Sequence, residues 1–367
     1  MNQIRPTTAH IDLKRLAHNV RALRSRVQPQ VRLLAPVKGD AYGHGLTRVG
    51  LALREQVDFF GVALVEEGKA LRAAGVETPI LCLGGVGHDG AEDALEHGLT
   101  PMVFDLDSAE RLDRAASKRG EAARVHLKVD TGMGRLGVPP GDWENFLDRL
   151  ANHGWLHVEG ICTHLCAADD DGTFTLEQAR RFDRALDAAR IRAFEPELVH
   201  LANSAAMLSF PELHRDMVRP GLALYGVSPL SSGEEAIALQ PVMRVTTEVL
   251  FVKNVPRGYG VGYGRTWTAP RPTRLATLPV GYADGYPRSL SDCGEVLIHG
   301  QLCPVRGRVC MDLLMVDVTD VTTTVRPGDE VELLGDTVTA SRLAQLAGTI
   351  PYEILAGFSE RVPRRAE

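Results

Sequence analysis

Eight short β-rich runs follow one another through the first two thirds of this chain, and helix-period segments fill the spaces between them. The runs are Val31–Val37, Phe59–Leu64, Pro79–Leu83, Pro101–Phe104, Arg124–Val129, His157–Thr163, Leu198–Leu201 and Met217–Arg219. Helical spacing marks the intervening Ser108–Arg119, Asp142–His153 and Leu176–Arg192, and an opening helix over 12–27. In that helix Leu13, Leu16, Val20 and Leu23 share one face and Asp12 is placed to cap it. Eight strands alternating with helices predict an α/β fold, a (β/α)8 barrel of the TIM type. Near residue 240 the pattern changes. Stretches such as MRVTTEVLFV, TRLATLPVGY and DLLMVDVTDV are rich in β-branched residues, and Gly and Pro punctuate them closely. Only Ala340–Ala347 and Tyr352–Leu355 look helical there, which predicts a second, mostly antiparallel β domain. The expected division is an N-terminal segment 1–10, a barrel over 11–235 and a β domain over 236–367. A chain of 367 residues is long enough for both domains.

Composition narrows the function. A net charge of −6 with no basic stripe argues against nucleic acid and anionic membranes as partners. The run Arg361–Arg365 is too short to change this and reads as a solvated terminal segment. No apolar run is long enough to span a bilayer. The opening MNQIRPTTAH lacks the apolar centre of a secretory leader, so a cytoplasmic location is expected. Six cysteines are few for this length and sit mostly in apolar runs, so reduced, buried thiols are expected. Strand alternation could put Cys162, His164 and Cys166 on one face. No second half-site accompanies them, so no metal is expected.

Barrel enzymes place their chemistry at the C-terminal ends of the strands. Here those ends carry Lys38 and then Tyr42, then Lys128, Asp130 and Arg135, then His164, then His200, Asn203 and Ser204, and finally Arg219, Gly221 and Leu222. A lysine in a largely apolar setting loses its charge more easily and becomes a nucleophile or base. Such lysines capture carbonyls as Schiff bases, and pyridoxal phosphate is a common carbonyl held that way. Ser204, a short helix start and Gly221 make a phosphate cradle after strands seven and eight. Each residue also has a plain structural reading. Ser204 could be a helix cap, His200 a core histidine and Arg219 a strand-end cation. It is their convergence on one chemistry that counts. GYGVGYG, Gly258–Gly264, looks like a phosphate loop but is followed by no helix, so it reads as a β-turn displaying Tyr263.

Taken in order, the segments VKGDAYGHG (Val37–Gly45), HLKVDTGMGRLGV (His126–Val138), GICTHLCAADD (Gly160–Asp170), HLANSAA (His200–Ala206), VRPGLALYG (Val218–Gly226), GYGRTW (Gly262–Trp267), PVGYADGYPR (Pro279–Arg288), GRVCMDLLMVD (Gly307–Asp317) and PYEIL (Pro351–Leu355) resemble the pyridoxal-phosphate-dependent alanine racemases over nearly the whole chain. The resemblance implies a cofactor-binding barrel with a C-terminal β domain, against which the first residues usually pack. It also implies a homodimer with shared active sites, acting on alanine to supply D-alanine for peptidoglycan. Lys38 would hold the cofactor and act as one base, and Tyr263 from the second subunit would be the other. Arg219 would face the pyridine nitrogen and His164 would tune Tyr263. Arg135 would bind the phenolate oxygen near the substrate carboxylate, oriented by Lys128, which many members carry as a carbamate. Tyr42, Ser204, Gly221, Leu222 and Tyr352 would hold the phosphate. The Met311 amide would bind the substrate carboxylate, and Tyr282, Arg288 and Asp312 would line the access passage. Pro36, Gly39 and the Leu-Cys-Ala-Ala-Asp segment after His164 depart from the commoner pattern.

Three other readings share parts of this pattern. A racemase of broader specificity, or one acting on serine, would use the same chemistry. A barrel-type pyridoxal-phosphate decarboxylase of amino acids would share the lysine and cradle and use a cysteine such as Cys310. Tyr263 argues against it, as does Arg219 where those enzymes place an acid. A cofactor-carrier barrel would be single-domain, lacking the roughly 130 extra residues present here.

Overall fold

The computed structural model describes residues 5–230 and 237–367. The expected boundary at 235/236 and the first four residues of the expected N-terminal segment lie outside the described residues. Two units emerge. One comprises Ala17–Ala41 and Leu46–Leu239; the other comprises residues up to Leu16, Tyr42–Gly45 and Gln240–Glu367.

The first unit is built on eight parallel strands, Arg32–Pro36, Phe59–Val62, Ile80–Cys82, Thr100–Val103, Ala123–Lys128, Leu156–Cys162, Leu198–His200 and Met217–Val218. They pair in chain order, and the eighth returns to pair with the first through Arg32↔Met217 and Leu33↔Val218. Backbone hydrogen bonds from Asp216 to Val199 (3.0 Å) and from Arg219 to Ala202 (2.9 Å) join the seventh and eighth and close the ring. All eight predicted runs are therefore strands of one TIM-type barrel. Its interior is packed by Leu34, Phe59, Leu81, Met102, Cys162, Leu198 and Met217, seven residues from seven strands. Each of the leucine, phenylalanine and methionine side chains among them, fully buried, contributes about 1.5–3 kcal/mol.

The helices form where pattern and caps agree. Asp12 accepts from the amides of Lys14 and Arg15, and the helix runs Leu13–Arg24, shorter than the 12–27 expected. Asp105 accepts from Ser108 to start Leu106–Arg119, and Gly120, left-handed at φ 69°, ends it. Trp143–Leu150 buries Trp143, Phe146, Leu147 and Leu150. Gly172–Ile191 begins at Asp171, whose side chain accepts from Phe174.

The second unit holds a six-stranded sheet in the order Gln301–Pro304, Glu295–Ile298, Glu330–Leu334, Met243–Glu248, Thr8–Ile11, Arg364–Ala366. All its pairs are antiparallel except the last. A three-stranded antiparallel sheet joins Phe251–Val255, Thr273–Leu278 and Leu314–Asp317. Its longer helices are Ala340–Ala347 and Pro351–Gly357.

Two expectations are corrected. The C-terminal arginines are not a solvated tail. Arg364 lies in the edge strand and donates to the carbonyls of Gly43, Phe358, Ser359 and Val362, while Arg361 pairs with Asp284 and Asp312. These four carbonyls hold the guanidinium against the fold. The cysteines are all free thiols, but only Cys82, Cys162 and Cys303 are buried. Cys166 and Cys293 lie on exposed turns. No helix among the described residues is long and apolar enough to cross a membrane.

Candidate active site

Lys38 sits two residues beyond the first strand, which ends at Pro36, and it opens a turn that no propensity would favour. Gly39, Asp40, Ala41, Tyr42 and Gly43 all have positive φ, from 53° to 81°, so Lys38–Gly43 is a left-handed helical turn. Three of the five are not glycine, at a cost on the order of 3–6 kcal/mol. Local hydrogen bonds offset part of this. Ala41 donates to the Val37 carbonyl at 2.8 Å, Leu46 to Asp40 Oδ1 at 2.7 Å, and Gly39 to Glu67 Oε1 at 2.7 Å. Glu67 also receives the Ala63 amide, tying the lysine turn to the end of the second strand. At Gly43 a Cβ would stand 2.2 Å from the Leu355 carbonyl oxygen, so only glycine fits. Strain held by its surroundings is typical of functional positions.

Burial holds the Lys38 amine below the usual lysine range, helped by the charges of Arg135 and Arg219 and opposed by Glu67. Lys128, at the end of the fifth strand, is also lowered, first by burial and then by Arg219, Arg135 and Lys38. Arg135 is exposed on a loop organised by Asp130, whose Oδ1 accepts the amides of Gly132, Met133 and Gly134.

Arg219 follows the eighth strand and is buried. Its Nη1 lies 2.6 Å from His200 Nδ1, and its Nη2 donates to the Thr163 carbonyl at 2.8 Å and lies 3.3 Å from His164 Nδ1. A guanidinium has no acceptor, so both histidines must accept. Burial, then the Arg219 charge, holds His164 and His200 well below the ordinary histidine range, so both are neutral near pH 7. His164 and Cys166 lie beyond the sixth strand, which ends at Cys162, so strand alternation does not align them. Among the described residues no group of three or more His, Cys, Asp or Glu side chains is arranged for a metal ion.

Ser204 is not the cap of its helix. Asn203 caps Ser204–Ser209 by accepting from Ala206, and the Ser204 hydroxyl instead accepts from the amides of Gly221 (2.8 Å) and Ala223 (3.4 Å). Leu222 opens the turn that follows Gly221.

In the second unit, Tyr263 is 73% exposed on a short turn between the paired strands Gly260–Val261 and Trp267–Thr268, with Gly262 and Gly264 both at φ 71°. Tyr42 and Tyr352 have ring centroids 5.7 Å apart, and burial pushes the Tyr42 phenol upward, with Tyr352 adding to it. The Tyr282 and Ala283 amides donate to the carbonyls of Cys310 and Met311. A Cβ on Gly281 would meet both carbonyls at 2.3 Å. Met311 is exposed, Asp312 receives Arg361 at 2.7 Å, and Arg288 opens a 3-10 turn.

Within the barrel unit the structure thus gathers Lys38, Lys128, Arg135, His164 and Arg219 into one electrostatic neighbourhood. Glu67 escaped sequence reasoning, its only signal being an acid three residues after a strand-end leucine. Buried His126 and Glu159 escaped it too.

Residues 11–229 match the family of the alanine racemase N-terminal domain, and residues 242–366 that of the C-terminal domain. The chain is 45% identical to the alanine racemase of Symbiobacterium thermophilum over 99% of this chain and 98% of that one. It is 42% identical to that of Halothermothrix orenii, over 98% and 96%. The structure superposes on the alanine racemase of the D-cycloserine producer Streptomyces lavendulae with a TM-score of 0.94 at 38% identity, covering 100% and 98% of the two chains. It superposes on that of Bartonella henselae, which was crystallised with covalently bound pyridoxal phosphate, with a TM-score of 0.91 at 31% identity, covering 99% of each. This chain belongs to the alanine racemase family, and so to the isomerases.

Proposed function

We propose that alanine racemisation by this chain runs on pyridoxal phosphate through two bases, Lys38 and Tyr263. We assign the cofactor to a barrel over 11–235 and Tyr263 to a β domain over 236–367, in a cytoplasmic homodimer with shared sites that supplies D-alanine for peptidoglycan. The observation that carries this reading is Arg219, a buried cation fixed by His200, His164 and the Thr163 carbonyl in the same neighbourhood as a charge-depleted lysine.

The residues fit such a cofactor. An amine relieved of its charge attacks an aldehyde, and Lys38 has that character. Ser204, Gly221, Leu222, Tyr42 and Tyr352 would hold the phosphate, and Arg135 the phenolate oxygen. Arg219, unable to accept a proton, would keep a pyridine nitrogen against it unprotonated. When bound, the cofactor lends its ring as a sink for the charge that develops at the substrate Cα.

Racemisation removes a proton from one face of Cα and returns one to the other, so it needs a base on each. Lys38 Nζ serves one face and the Tyr263 hydroxyl, from the second subunit, the other. Neutral His164, accepting from Arg219 at Nδ1, carries its proton on Nε2 and donates it to the Tyr263 hydroxyl, which it orients. Arg135 and the Met311 amide bind the substrate carboxylate, and Tyr282, Arg288 and Asp312 line the access passage. A neutral Lys128 amine would add to CO2 and give up one N–H proton to solvent, leaving a carbamate whose negative charge suits the surrounding Arg219, Arg135 and Lys38 and orients Arg135.

The test is to incubate purified protein with L-alanine, L-serine and L-ornithine and to analyse for D-isomers and for CO2. D-alanine as the dominant product supports the reading. D-serine at an equal rate would make it a broader racemase, and CO2 release would replace it with decarboxylation.

A further inference from the structure

Inside the barrel, two ionisable side chains have no part in the proposed proton transfers. His126 is fully buried and Glu159 is 3% exposed. They extend a line that begins at Arg219. Arg219 Nη1 lies 2.6 Å from His200 Nδ1, His200 Nε2 lies 2.8 Å from His126 Nδ1, and His126 Nε2 lies 3.3 Å from Glu159 Oε2. Arg124, more than half exposed, closes the line on Glu159 Oε1 at 2.5 Å.

Each proton on this line has one possible place. Arg219 only donates, so His200 Nδ1 holds a lone pair. A neutral His200 then carries its proton on Nε2 and gives it to His126 Nδ1. His126 in turn carries its proton on Nε2 and gives it to the Glu159 carboxylate. A second proton on either ring would set two donors face to face. Burial disfavours that proton on His126 despite the carboxylate, while His126 and Arg124 keep Glu159 ionised against its own burial. Hydrogen bonds that all run one way reinforce one another.

The backbone is shaped to make this line. Between the fifth and sixth strands Val125 faces Val158 while His126 faces Gly160, so Glu159 is an extra residue in the register. A bulge of this kind re-aims a side chain. At Gly160 a Cβ would meet the His126 ring at 2.6 Å, so glycine makes the room the imidazole occupies. Bulge, glycine and a buried histidine pair converge on one carboxylate.

We propose that Glu159 and His126 are positioning residues for Arg219: the one-way chain Arg219→His200→His126→Glu159 locks both imidazoles as neutral Nε2–H tautomers and fixes the plane of the guanidinium. The catalytic consequence rests on the reading of Arg219 given above; the tautomers do not.

The experiment is long-range nitrogen–proton NMR on cofactor-loaded protein labelled with nitrogen-15 histidine, with steady-state kinetics beside it. In the unmodified protein His126 and His200 are expected as neutral Nε2–H forms near pH 7. Glu159→Gln keeps an accepting oxygen, so both tautomers and kcat are retained. Glu159→Leu has no acceptor, so the single-tautomer pattern is lost and kcat falls about tenfold with KM unchanged, as misorientation rather than lost binding would give. An Nδ1–H or charged ring in the unmodified protein overturns the proposal, even if racemisation is normal and even if Glu159→Leu does not fold. Glu159→Leu with both tautomers and kcat intact also overturns it. The expected tautomers in a protein that does not racemise alanine would uphold the chain and reject the functional reading instead.

Discussion

Lys38 and Tyr263, proposed to serve opposite faces of the same Cα, stand in opposite surroundings. Lys38 is seated in a strained turn held by Asp40 and Glu67, and burial has lowered its affinity for a proton. Tyr263 is displayed on a hairpin turn with nearly three quarters of its surface exposed. One unit carries its charges prearranged in the barrel; the other presents a phenol outward. A base must be desolvated and oriented to work, and the shared dimer site proposed above would give the exposed phenol that setting. With a shared site, a change at Lys38 disables the site in its own barrel, whereas a change at Tyr263 disables the site in the partner's barrel.

The largest effect belongs to Lys38→Ala. It should lose the borohydride-reducible yellow cofactor linkage and lower racemisation by at least about 10⁴-fold, measured by chiral chromatography. Cofactor still fixed by borohydride in that variant would mean that another lysine is the anchor. Next comes Tyr263→Phe, which should keep the cofactor yet lose about 10²–10⁴-fold in proton abstraction from one enantiomer. Exchange of the Cα proton in deuterated solvent, run on each enantiomer, should show L-alanine far more affected than D-alanine. Equal losses would reject the two-base division. Mixing Lys38→Ala with Tyr263→Ala protein should restore part of the activity, because a hybrid dimer rebuilds one intact site. No recovery despite proven subunit exchange would place a complete site in each chain.

Arg219→Glu sharpens the comparison from the barrel side. It removes the cation that depresses His164 and His200 and supplies an acceptor where a donor stood. We expect racemisation to fall about 10²-fold, transamination to rise, and both histidines to titrate higher. Histidine titrations unchanged by the substitution would remove Arg219 from this role.

The frame of the molecule was legible because strand runs such as Val31–Val37 are apolar and end in polar or glycine residues. What escaped depends on contacts across the fold. Nothing in Asp40, Ala41 or Tyr42 announces a left-handed turn; only the neighbouring glycines hint at it. Asn203 and Ser204 are both good caps, and the choice between them is made by the Gly221 amide seventeen positions on. Glu159 looks like an ordinary strand acid until the bulge turns it toward His126. The terminal arginines looked solvated because the carbonyls that capture Arg364 cannot be seen in a run of charge. Site chemistry came through more clearly than site geometry, since residue type names a reaction while tertiary contact assigns each partner.

Ser204→Ala should have a smaller effect. It leaves the buried Gly221 amide without its 2.8 Å acceptor, a loss of about 1–3 kcal/mol. Cofactor affinity, titrated by absorbance, should weaken about tenfold or more while kcat at saturation changes little. Undiminished affinity would take Ser204 out of the cradle.

The smallest effect is on stability. Lys128 has a folded-state proton affinity below that of an ordinary lysine, because burial and the cations Arg219, Arg135 and Lys38 disfavour its charge. Between the lowered folded value and about 10.4 the unfolded chain holds a proton that the folded chain does not. Unfolding therefore takes up a proton in that window, and stability rises with pH through it. Below the window the penalty is constant and full. Lys128→Met removes the penalty, so in carbonate-free buffer it should melt higher than the unmodified protein near neutral pH, by a few degrees at most. That advantage should shrink as pH climbs toward the ordinary lysine value. Adding bicarbonate should raise the melting temperature of the unmodified protein and leave Lys128→Met where it was, because only the lysine can take up CO2 and gain a negative charge among its cationic neighbours. A melting difference independent of pH would show that Lys128 folds with its charge already compensated.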